Sequence, residues 1–277
     1  MSKLDNILWQ RGVMAIINAT PDSFYASSRA QSRKAVAECA ERALKEGAAI
    51  LDIGGYSSRP DAEDVALDEE WRRVQMALSA VRDVSSDAPL SLDTFRAEVV
   101  RRAVDSFGEI IVNDITAGQG DGEMLATVAE LKLPYIAMHM RGTPRTMQQQ
   151  AQYDGVVAEV ISELQMRLAE MDAVGMERKR IALDPGFGFA KTVEQNYQLL
   201  AGLHELKSLG QPLLVGVSRK SMIYRPLEIN PDEALAATQA VHWEALRQGA
   251  ALLRVHDVRE AVDTIKLYEK FIQDDKG

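Results

Sequence analysis

The sequence has little of several features that define whole classes of protein. It contains one cysteine among 277 residues, so it cannot form an intramolecular disulfide and is not a disulfide-rich secreted scaffold. No apolar run approaches the ~18 residues that would span a bilayer, and the opening residues 1–5 lack the long apolar stretch of a signal peptide. We therefore expect a soluble, cytoplasmic protein with no membrane partner.

Positive charge is also in the minority. Lys and Arg number 32 against 41 Asp and Glu, which gives a formal net charge of −9. A chain with this charge repels nucleic acid and anionic membranes at long range. We expect no nucleic-acid partner, and any anionic ligand must be held by a local cluster of basic groups.

The sequence does contain eight short apolar runs rich in Ile, Val, Leu and Met. Continuous runs of this length are typical of parallel strands that are buried on both faces. The predicted strands are Val13–Asn18, Ala49–Gly54, Leu90–Thr94, Ile110–Ile115, Pro134–His139, Ile181–Pro185, Leu213–Ser218 and Ala251–His256.

Segments with helical spacing lie between these runs, at Ser32–Glu46, Asp68–Val84, Ala97–Phe107, Val156–Val174, Val193–Leu209, Asp232–Gln248 and Arg259–Gln273. Strict alternation of strands and helices predicts a parallel sheet with right-handed crossovers. Eight units in this length predict a single α/β domain, a (β/α)₈ TIM barrel over residues 1–277 with residues 1–11 as a short N-terminal extension. The alternative is a doubly wound open sheet, but such sheets usually have fewer strands and often a glycine-rich first turn, which Thr20–Phe24 lacks.

Every predicted strand ends in a polar or ionisable residue. In a barrel of this type the active site lies at the C-terminal ends of the strands. One Asp in such a position most often caps the next helix, but that explanation is poor for the whole set. Its members are Asn18, Asp52, Asp93, Asn113, Asp114, His139, Asp184, Ser218, Lys220, Arg254 and His256.

The last two strands bring basic groups to this end. Alternation along a strand places Ser218 and Lys220 on one side, and Arg254 and His256 likewise. Lys, Arg and a possible imidazolium at strands seven and eight predict a phosphate site, because Arg binds phosphate in a bidentate manner and Lys supplies a point charge.

The acidic strand ends indicate a different ligand. Asp93, Asn113 and Asp184 offer two anionic acceptors and one amide, which suits either a planar heterocycle with N–H donors beside a carbonyl or a divalent metal. The residues alone do not separate these two. A glycine-rich loop at 184–189 could approach a flat ligand closely, with Phe189 packed on it. His139 is explained equally well as a hydrogen-bonded rim histidine or as a catalytic one.

The sequence resembles the dihydropteroate synthase family along nearly its whole length. Seven segments carry the resemblance in family order, and all fall at the predicted strand ends. They are Asn18–Phe24, Asp52–Gly55 with Ser57–Pro60, Ser91–Thr94, Val112–Asp114, Asp184–Phe189, Ser218–Ser221 and Arg254–Asp257.

This resemblance implies a transferase of folate biosynthesis, usually a homodimer and a target of sulfonamides. An enzyme of this family condenses 6-hydroxymethyl-7,8-dihydropterin pyrophosphate with para-aminobenzoate, uses Mg²⁺ and releases pyrophosphate. By position, the resemblance implies that the pterin is bound by Asp93, Asn113, Asp184 and Lys220, and the pyrophosphate by Arg254 and His256, with Ser58 and Arg59 from the second loop closing over the site. It implies that the metal is bound by Asn18. The residues implied around the aminobenzoate are Phe24, Pro60, Phe189, Ser218, Arg219 and Ser221.

The family's chemistry implies departure of pyrophosphate before attack by the aromatic amine, with Asn18, Asp93, Lys220, Arg254 and His256 in catalytic roles. Replacing Arg254 should then weaken pyrophosphate-bearing ligands and leave the affinity for bare pterin intact.

The chain departs from the commoner family pattern at residues 25–28, where Tyr-Ala-Ser-Ser replaces Ser-Asp-Gly-Gly, at Ser58, where Thr is usual, and at Asp61, where Gly is frequent. The altered first loop motivates one alternative, a pterin-binding protein without turnover. A second alternative is a pterin-dependent methyltransferase, which would have less use for Lys220, Arg254 and His256.

Overall fold

The structure, a computed structural model, describes residues 2–19, 33–56 and 65–274. Within these ranges eight strands alternate with helices along the chain. The strands are β1 (Gly12–Asn18), β2 (Ile50–Gly54), β3 (Leu90–Asp93), β4 (Ile111–Asp114), β5 (Tyr135–Met138), β6 (Ile181–Asp184), β7 (Leu214–Val215) and β8 (Leu252–Val255). The α-helices are α1 (Lys3–Leu8), α2 (Arg33–Glu46), α3 (Leu67–Val84), α4 (Ala97–Phe107), α5 (Met124–Leu131), α6 (Val156–Ala173), α7 (Val193–Ala201), α8 (Ser221–Tyr224), α9 (Leu235–Gln248) and α10 (Val258–Asp274).

The strands form one parallel sheet that curls into a nearly closed barrel. Its order is β6-β5-β4-β3-β2-β1-β8-β7, so β1 pairs with both β2 and β8. The two outermost strands meet through a single parallel bridge between Leu183 and Leu213 and a 2.9 Å hydrogen bond from the Leu183 amide to the Pro212 carbonyl. The predicted (β/α)₈ barrel is therefore confirmed.

A layer of apolar side chains fills the barrel below the strand ends. Leu4 and Leu8 of α1 belong to the same buried cluster and pack against it, which places the helix formed by the first residues at the N-terminal end of the barrel. This layer contains Met14, Ile50, Ile111, Ile136, Ala182, Leu214 and Leu252. It forms a packed base for the barrel, and on β2, β4, β6 and β8 a polar rim residue follows two positions further along the strand.

The secondary structure differs from the sequence-based expectation in several segments. The expected helix at 193–209 consists of α7 and a 3₁₀-helix, Leu203–Leu209, because Gly202 caps the end of α7. The seventh strand is confined to Leu214–Val215. Helix α5, with only eight residues, was not predicted, because so short a segment shows little helical periodicity. No helix in the three described ranges is long and apolar enough to cross a bilayer.

Candidate active site

The functional side chains form the next layer above the apolar base. Asp52 follows Ile50, Asn113 follows Ile111, Asp184 follows Ala182 and Arg254 follows Leu252, each by two residues. Because side chains two apart on a strand point to the same side, this spacing brings these residues together at the C-terminal mouth of the barrel.

Arg254 is the centre of this arrangement. Its Nε donates to Asp52 Oδ2 at 2.6 Å and its Nη2 donates to Asp93 Oδ2 at 2.6 Å. Asn113 Nδ2 donates to the same Asp52 oxygen at 3.1 Å. Among the described residues, Arg254 Nη1 has no acceptor and the buried Asp52 Oδ1 has no donor. Arg254 and Asp52 thus retain one donor group and one acceptor oxygen for a polar ligand.

Asp93 is the most perturbed acid of this group. Burial raises its pKa to about 7, although the neighbouring Arg254 guanidinium opposes the shift, and Asp52 adds to the increase. Near neutral pH this side chain is therefore poised between an acceptor carboxylate and a protonated acid. Perturbed carboxyl groups in a cleft are typical of functional sites.

Asn18 of β1 pairs with Gly54 of β2, which pairs in turn with Asp93 of β3. A Cβ added at Gly54 would lie 3.4 Å from Asn18 Oδ1 and 3.7 Å from Asp93 Oδ2. The absence of a side chain at Gly54 therefore lets one amide oxygen and one carboxylate oxygen face the same space.

Lys220 and Asp184 face each other on the opposite side of the mouth. A Cβ at Gly216 would be 4.0 Å from both Lys220 Nζ and Asp184 Oδ2. Burial lowers the pKa of Lys220 to about 8 while Asp184 opposes the shift, and burial raises the pKa of Asp184 while Lys220 opposes that shift. Lys220 Nζ also donates to the Phe187 carbonyl and lies 4.5 Å from the centre of the Phe189 ring.

His256 is held by Ser218. Its Nδ1 lies 3.0 Å from Ser218 Oγ, and its backbone amide donates to the same oxygen at 3.2 Å. Burial lowers the pKa of His256 to about 3, and Arg254 contributes to the shift. The ring is therefore neutral at pH 7 and is not the imidazolium considered from the sequence, because a second cation next to Arg254 would be too costly.

Arg219 is hydrogen bonded to residues far from it in the sequence, which the sequence alone does not reveal. Its Nε and Nη2 each donate to Asp257 at 2.8 Å, and its Nη1 donates to the carbonyls of Pro231 and Asp232. The side chain is thus buried between two loops. Ser221 begins α8, which has only four residues, so this helix is a single short turn.

The loop between β6 and α7 crosses close to β5. Gly186 has φ +71°, and a Cβ on it would lie 1.9 Å from the His139 carbonyl oxygen, so only glycine fits.

An apolar cluster that the sequence did not predict adjoins this loop. It is formed by Ile115, Met138, Met140, Met147 and Ala190, with Phe189 packed against it. Its members are buried, so it supports the loop and the Phe189 ring from below.

His139 is hydrogen bonded on both ring nitrogens, with Nε2 3.0 Å from Glu163 Oε2 and Nδ1 3.0 Å from Lys191 Nζ. Of the two explanations that the sequence left open, these bonds favour a rim histidine over a catalytic one. Lys191 itself was not among the candidates.

Asp114, another strand-end acid, stabilises the fold. Its Oδ1 accepts from the Thr116 amide and hydroxyl, and its Oδ2 from the Gly118 amide and from the Tyr135 hydroxyl at 2.7 Å. It therefore has the local stabilising role that explains a single strand-end Asp but does not explain the whole set.

We expect Tyr135→Phe to lower the free energy of unfolding by about 1–3 kcal/mol, because it removes a donor from the buried Asp114 carboxylate. Urea unfolding measures the loss. Tyr153→Phe is the matched control, since the buried Tyr153 hydroxyl has no hydrogen-bond partner among the described residues. Equal stability of the two variants would contradict the assignment.

Four site residues predicted from the sequence, Phe24, Ser58, Arg59 and Pro60, lie outside the described residues. The same holds for the departures at residues 25–28 and Asp61. Of the other predicted residues, the structure brings Asn18, Asp93, Asn113, Asp184, Lys220, Arg254 and His256 to one end of the barrel, with Phe189 and Ser218 adjoining them. Asp52 was recognised only as a strand end, although it is one of the two acids that hold Arg254.

Comparison with known proteins gives consistent matches over nearly the entire chain. The family model described as "Pterin binding enzyme" matches residues 14–256. A dihydropteroate synthase of Haemophilus influenzae is 41% identical over 257 residues, which cover 93% of this chain and 92% of that protein. The Escherichia coli K12 dihydropteroate synthase is 40% identical over 257 residues, covering 93% and 90%.

Solved structures agree with the sequence matches. The Yersinia pestis dihydropteroate synthase with a sulfonamide drug complex superposes with a TM-score of 0.91 at 37% identity, covering 96% of each chain. The Xanthomonas albilineans dihydropteroate synthase with 4-aminobenzoic acid superposes with a TM-score of 0.86 at 40% identity, covering 95% of this chain and 94% of that one. A complex of the Xanthomonas albilineans enzyme with 7,8-dihydropteroate gives a TM-score of 0.82 at 38% identity, with the same coverage.

Proposed function

The chain belongs to the dihydropteroate synthase family of pterin-binding enzymes, and on that premise we propose that it is a transferase that joins 6-hydroxymethyl-7,8-dihydropterin pyrophosphate to para-aminobenzoate. The observation that carries the proposal is the barrel mouth, where Asp52 and Asp93 share Arg254 and Asp184 faces Lys220. Acceptors for a heterocycle and cations for a pyrophosphate thus lie side by side.

The acidic half of the mouth suits the pterin ring. A pterin presents N–H donors beside a carbonyl. The carboxylates of Asp93 and Asp184 can accept from such donors, and the amide of Asn113 can both accept and donate. The buried Asp52 Oδ1, which has no donor among the described residues, is a further acceptor. Satisfying such an oxygen contributes to affinity, because an unsatisfied buried polar group costs about 1–3 kcal/mol.

The basic half suits the leaving group. Arg254 Nη1 and the Lys220 ammonium can bind phosphate oxygens, and the neutral His256 ring can contribute a hydrogen bond. In the reaction, the C–O bond between the pterin methylene and the pyrophosphate breaks with its electron pair on oxygen, and the amine nitrogen then bonds to the methylene carbon and loses a proton to solvent. Fixed cations stabilise the charge that develops on pyrophosphate.

Mg²⁺ is the metal that we propose for this site, with Asn18 as its protein ligand. Among the described residues no group of three or more Asp, Glu, His or Cys side chains is arranged to hold a metal. Mg²⁺ needs no such group, because it is often bound by one or two protein oxygens, waters and substrate phosphates. The space beside Gly54, which Asn18 Oδ1 faces, offers one such oxygen, since the nearby Asp93 Oδ2 already accepts from Arg254 Nη2. When bound, the ion would neutralise phosphate charge.

Para-aminobenzoate is proposed to bind beside Phe189 and Ser218, next to the Lys220 ammonium. The described part of the site supports this location through the apolar surface of Phe189. The Yersinia pestis relative is described in complex with a sulfonamide drug, and we propose that this chain is likewise a sulfonamide target. A sulfonamide should then compete with para-aminobenzoate and not with the pterin substrate.

We also propose a cytoplasmic homodimer. The single cysteine suits a reducing compartment. Leu267 and Phe271 are 66% and 52% exposed on α10, and an exposed apolar surface of this kind favours association. Light scattering coupled to gel filtration tests the oligomeric state, and a mass of one chain at all concentrations would contradict it.

The activity is tested by combining the purified chain with pterin pyrophosphate, para-aminobenzoate and Mg²⁺. We expect pyrophosphate release and dihydropteroate formation only when all three are present, since each fills a separate part of the mouth. Mixtures that lack one component are the controls. Binding of pterin pyrophosphate without product would contradict the transferase and favour a binding protein.

A further inference from the structure

The loop between β6 and α7, residues 185–190, is held by two lysines. On the side of the site, Lys220 Nζ donates to the Phe187 carbonyl. From behind the loop, Lys191 Nζ donates to the carbonyls of Gly186 and Phe189, both at 3.0 Å. Three carbonyl groups of one short loop therefore accept hydrogen bonds from ammonium groups, and the two carbonyls bound by Lys191 lie near the two ends of the loop.

Lys191 is enclosed on all sides. It is 4% exposed, so it has almost no contact with bulk solvent. Its third hydrogen bond runs to His139 Nδ1 at 3.0 Å, while His139 Nε2 meets Glu163 Oε2 at 3.0 Å and Arg141 Nε donates to the other Glu163 oxygen at 2.9 Å. Burial lowers the pKa of Lys191 to about 7. In the protonated form the ammonium has three hydrogens for these three acceptors, so its hydrogen bonding is complete.

This network requires a neutral His139. An imidazole accepts at Nδ1 only when its proton is on Nε2, where it can donate to Glu163. Burial lowers the pKa of His139 to about 4, and the adjacent Lys191 contributes to the shift, in agreement with that tautomer. The chain from Arg141 through Glu163 and His139 to Lys191 therefore links α6 to the back of the loop.

We infer that Lys191 is a positioning residue for para-aminobenzoate, which it serves by fixing the backbone of Phe189 from behind while the Phe189 ring faces Lys220. The inference rests on the proposed function. The backbone of Asp184, in contrast, is held by the strand ladder, where it pairs with Met138 of β5, and only one of its carboxylate oxygens meets the loop, at the Gly186 amide. Loss of Lys191 should therefore displace the aromatic side of the site more than the pterin side.

Lys191→Met tests the inference, because methionine has a similar length and no donor. We expect the KM for para-aminobenzoate to rise at least about tenfold, the KM for pterin pyrophosphate to stay within about twofold and kcat within about threefold, since a rise in KM alone reports lost binding. Lys45→Met, at an exposed position on α2, is the matched control and should leave all three constants unchanged.

Other results would overturn the inference. A purely structural role would reduce the active fraction, and therefore kcat, with both KM values unchanged. Equal increases in both KM values would show that Lys191 supports the whole mouth. Lys191→Gln, which has a polar head with two hydrogens, serves if the methionine variant does not fold, and it should raise the same KM by at least about threefold. A wild-type protein that forms no dihydropteroate would instead contradict the proposed function, before any variant is compared.

Discussion

Replacing Arg254 with methionine is expected to weaken pterin pyrophosphate about 10- to 150-fold and to lower the free energy of unfolding by about 3–5 kcal/mol. The first figure follows from the loss of a charged hydrogen bond to phosphate. The second follows because Arg254 joins Asp52 and Asp93, and removing one partner of a buried ion pair leaves uncompensated charge. Calorimetric titration and urea unfolding measure the two effects.

The stability loss should depend on pH in a defined direction. The pKa of Asp93 is already raised by burial to about 7, and it should rise further without the guanidinium. A carboxyl group whose folded pKa exceeds the unfolded value of ~3.9 is most favourable to folding at low pH, and that contribution is lost as the pH rises towards the folded pKa. The deficit of Arg254→Met relative to the wild type should therefore grow as the pH rises above about 7, because Asp93 is already ionised there in the wild type while the variant is still losing stability.

Arg254→Lys is the control for this prediction. It keeps a positive charge, but an ammonium group lacks the fork that reaches two carboxylates at once. We expect intermediate stability and a smaller pH dependence. A deficit of the same size at pH 5 and pH 8 in the methionine variant would show that the two acids do not depend on Arg254.

The structure also changes the expected effect on bare pterin. From the sequence alone, Arg254 is a phosphate ligand, and its loss should spare pterin affinity. In the structure, the same guanidinium donates to Asp52 and Asp93, which are acceptors on the pterin side. Bare pterin should therefore bind more weakly to Arg254→Met as well, although less so than the pyrophosphate-bearing substrate.

The fold could be predicted from the sequence because each buried parallel strand is a continuous apolar run. The rim could be predicted for a related reason, since a polar residue that ends such a run, as Asp184 does, is conspicuous. Helix α5 could not be found in this way, because eight residues give too few turns for a helical pattern.

Pairings within the site were harder to predict than its members. Asp52 and Arg254 are 202 positions apart, and nothing local to either residue indicates that they meet. Arg219 shows the same difficulty, because its bonds to Asp257 and to the 231–232 carbonyls depend on how three loops pack. Lys191 appears in the sequence as an ordinary lysine before a helix, and only the fold reveals that it is buried behind the loop.

The protonation states of the mouth also depend on the folded structure. His256 is neutral because burial and Arg254 lower its pKa to about 3, whereas its position two residues after Arg254, on the same side of the predicted strand, suggested an added positive charge. The positive charge of the described mouth therefore comes from Arg254 and Lys220, and Lys220 is the one of these two whose charge changes near physiological pH.

Replacing Asp184 with asparagine is expected to weaken pterin binding about 10- to 150-fold, because an N–H donor of the pterin then meets a neutral amide and not a carboxylate. The side chain is nearly isosteric, and its Oδ1 position can still accept from the Gly186 amide, as the carboxylate does at 2.7 Å. Pterin titration measures the loss. Asp105→Asn, at an exposed position on α4, is the matched control and should bind as the wild type does.

The same substitution should shift the alkaline limb of the pH profile. Burial lowers the pKa of Lys220 to about 8, and Asp184 limits that decrease, so without the carboxylate the pKa falls further. Since the protonated form of Lys220 binds pyrophosphate, kcat/KM decreases as the pH rises through this pKa. The decrease should therefore begin at lower pH in Asp184→Asn than in the wild type. Lys220→Arg, which does not titrate in this range, should lack the limb, and a limb that persisted there would show that another group controls it.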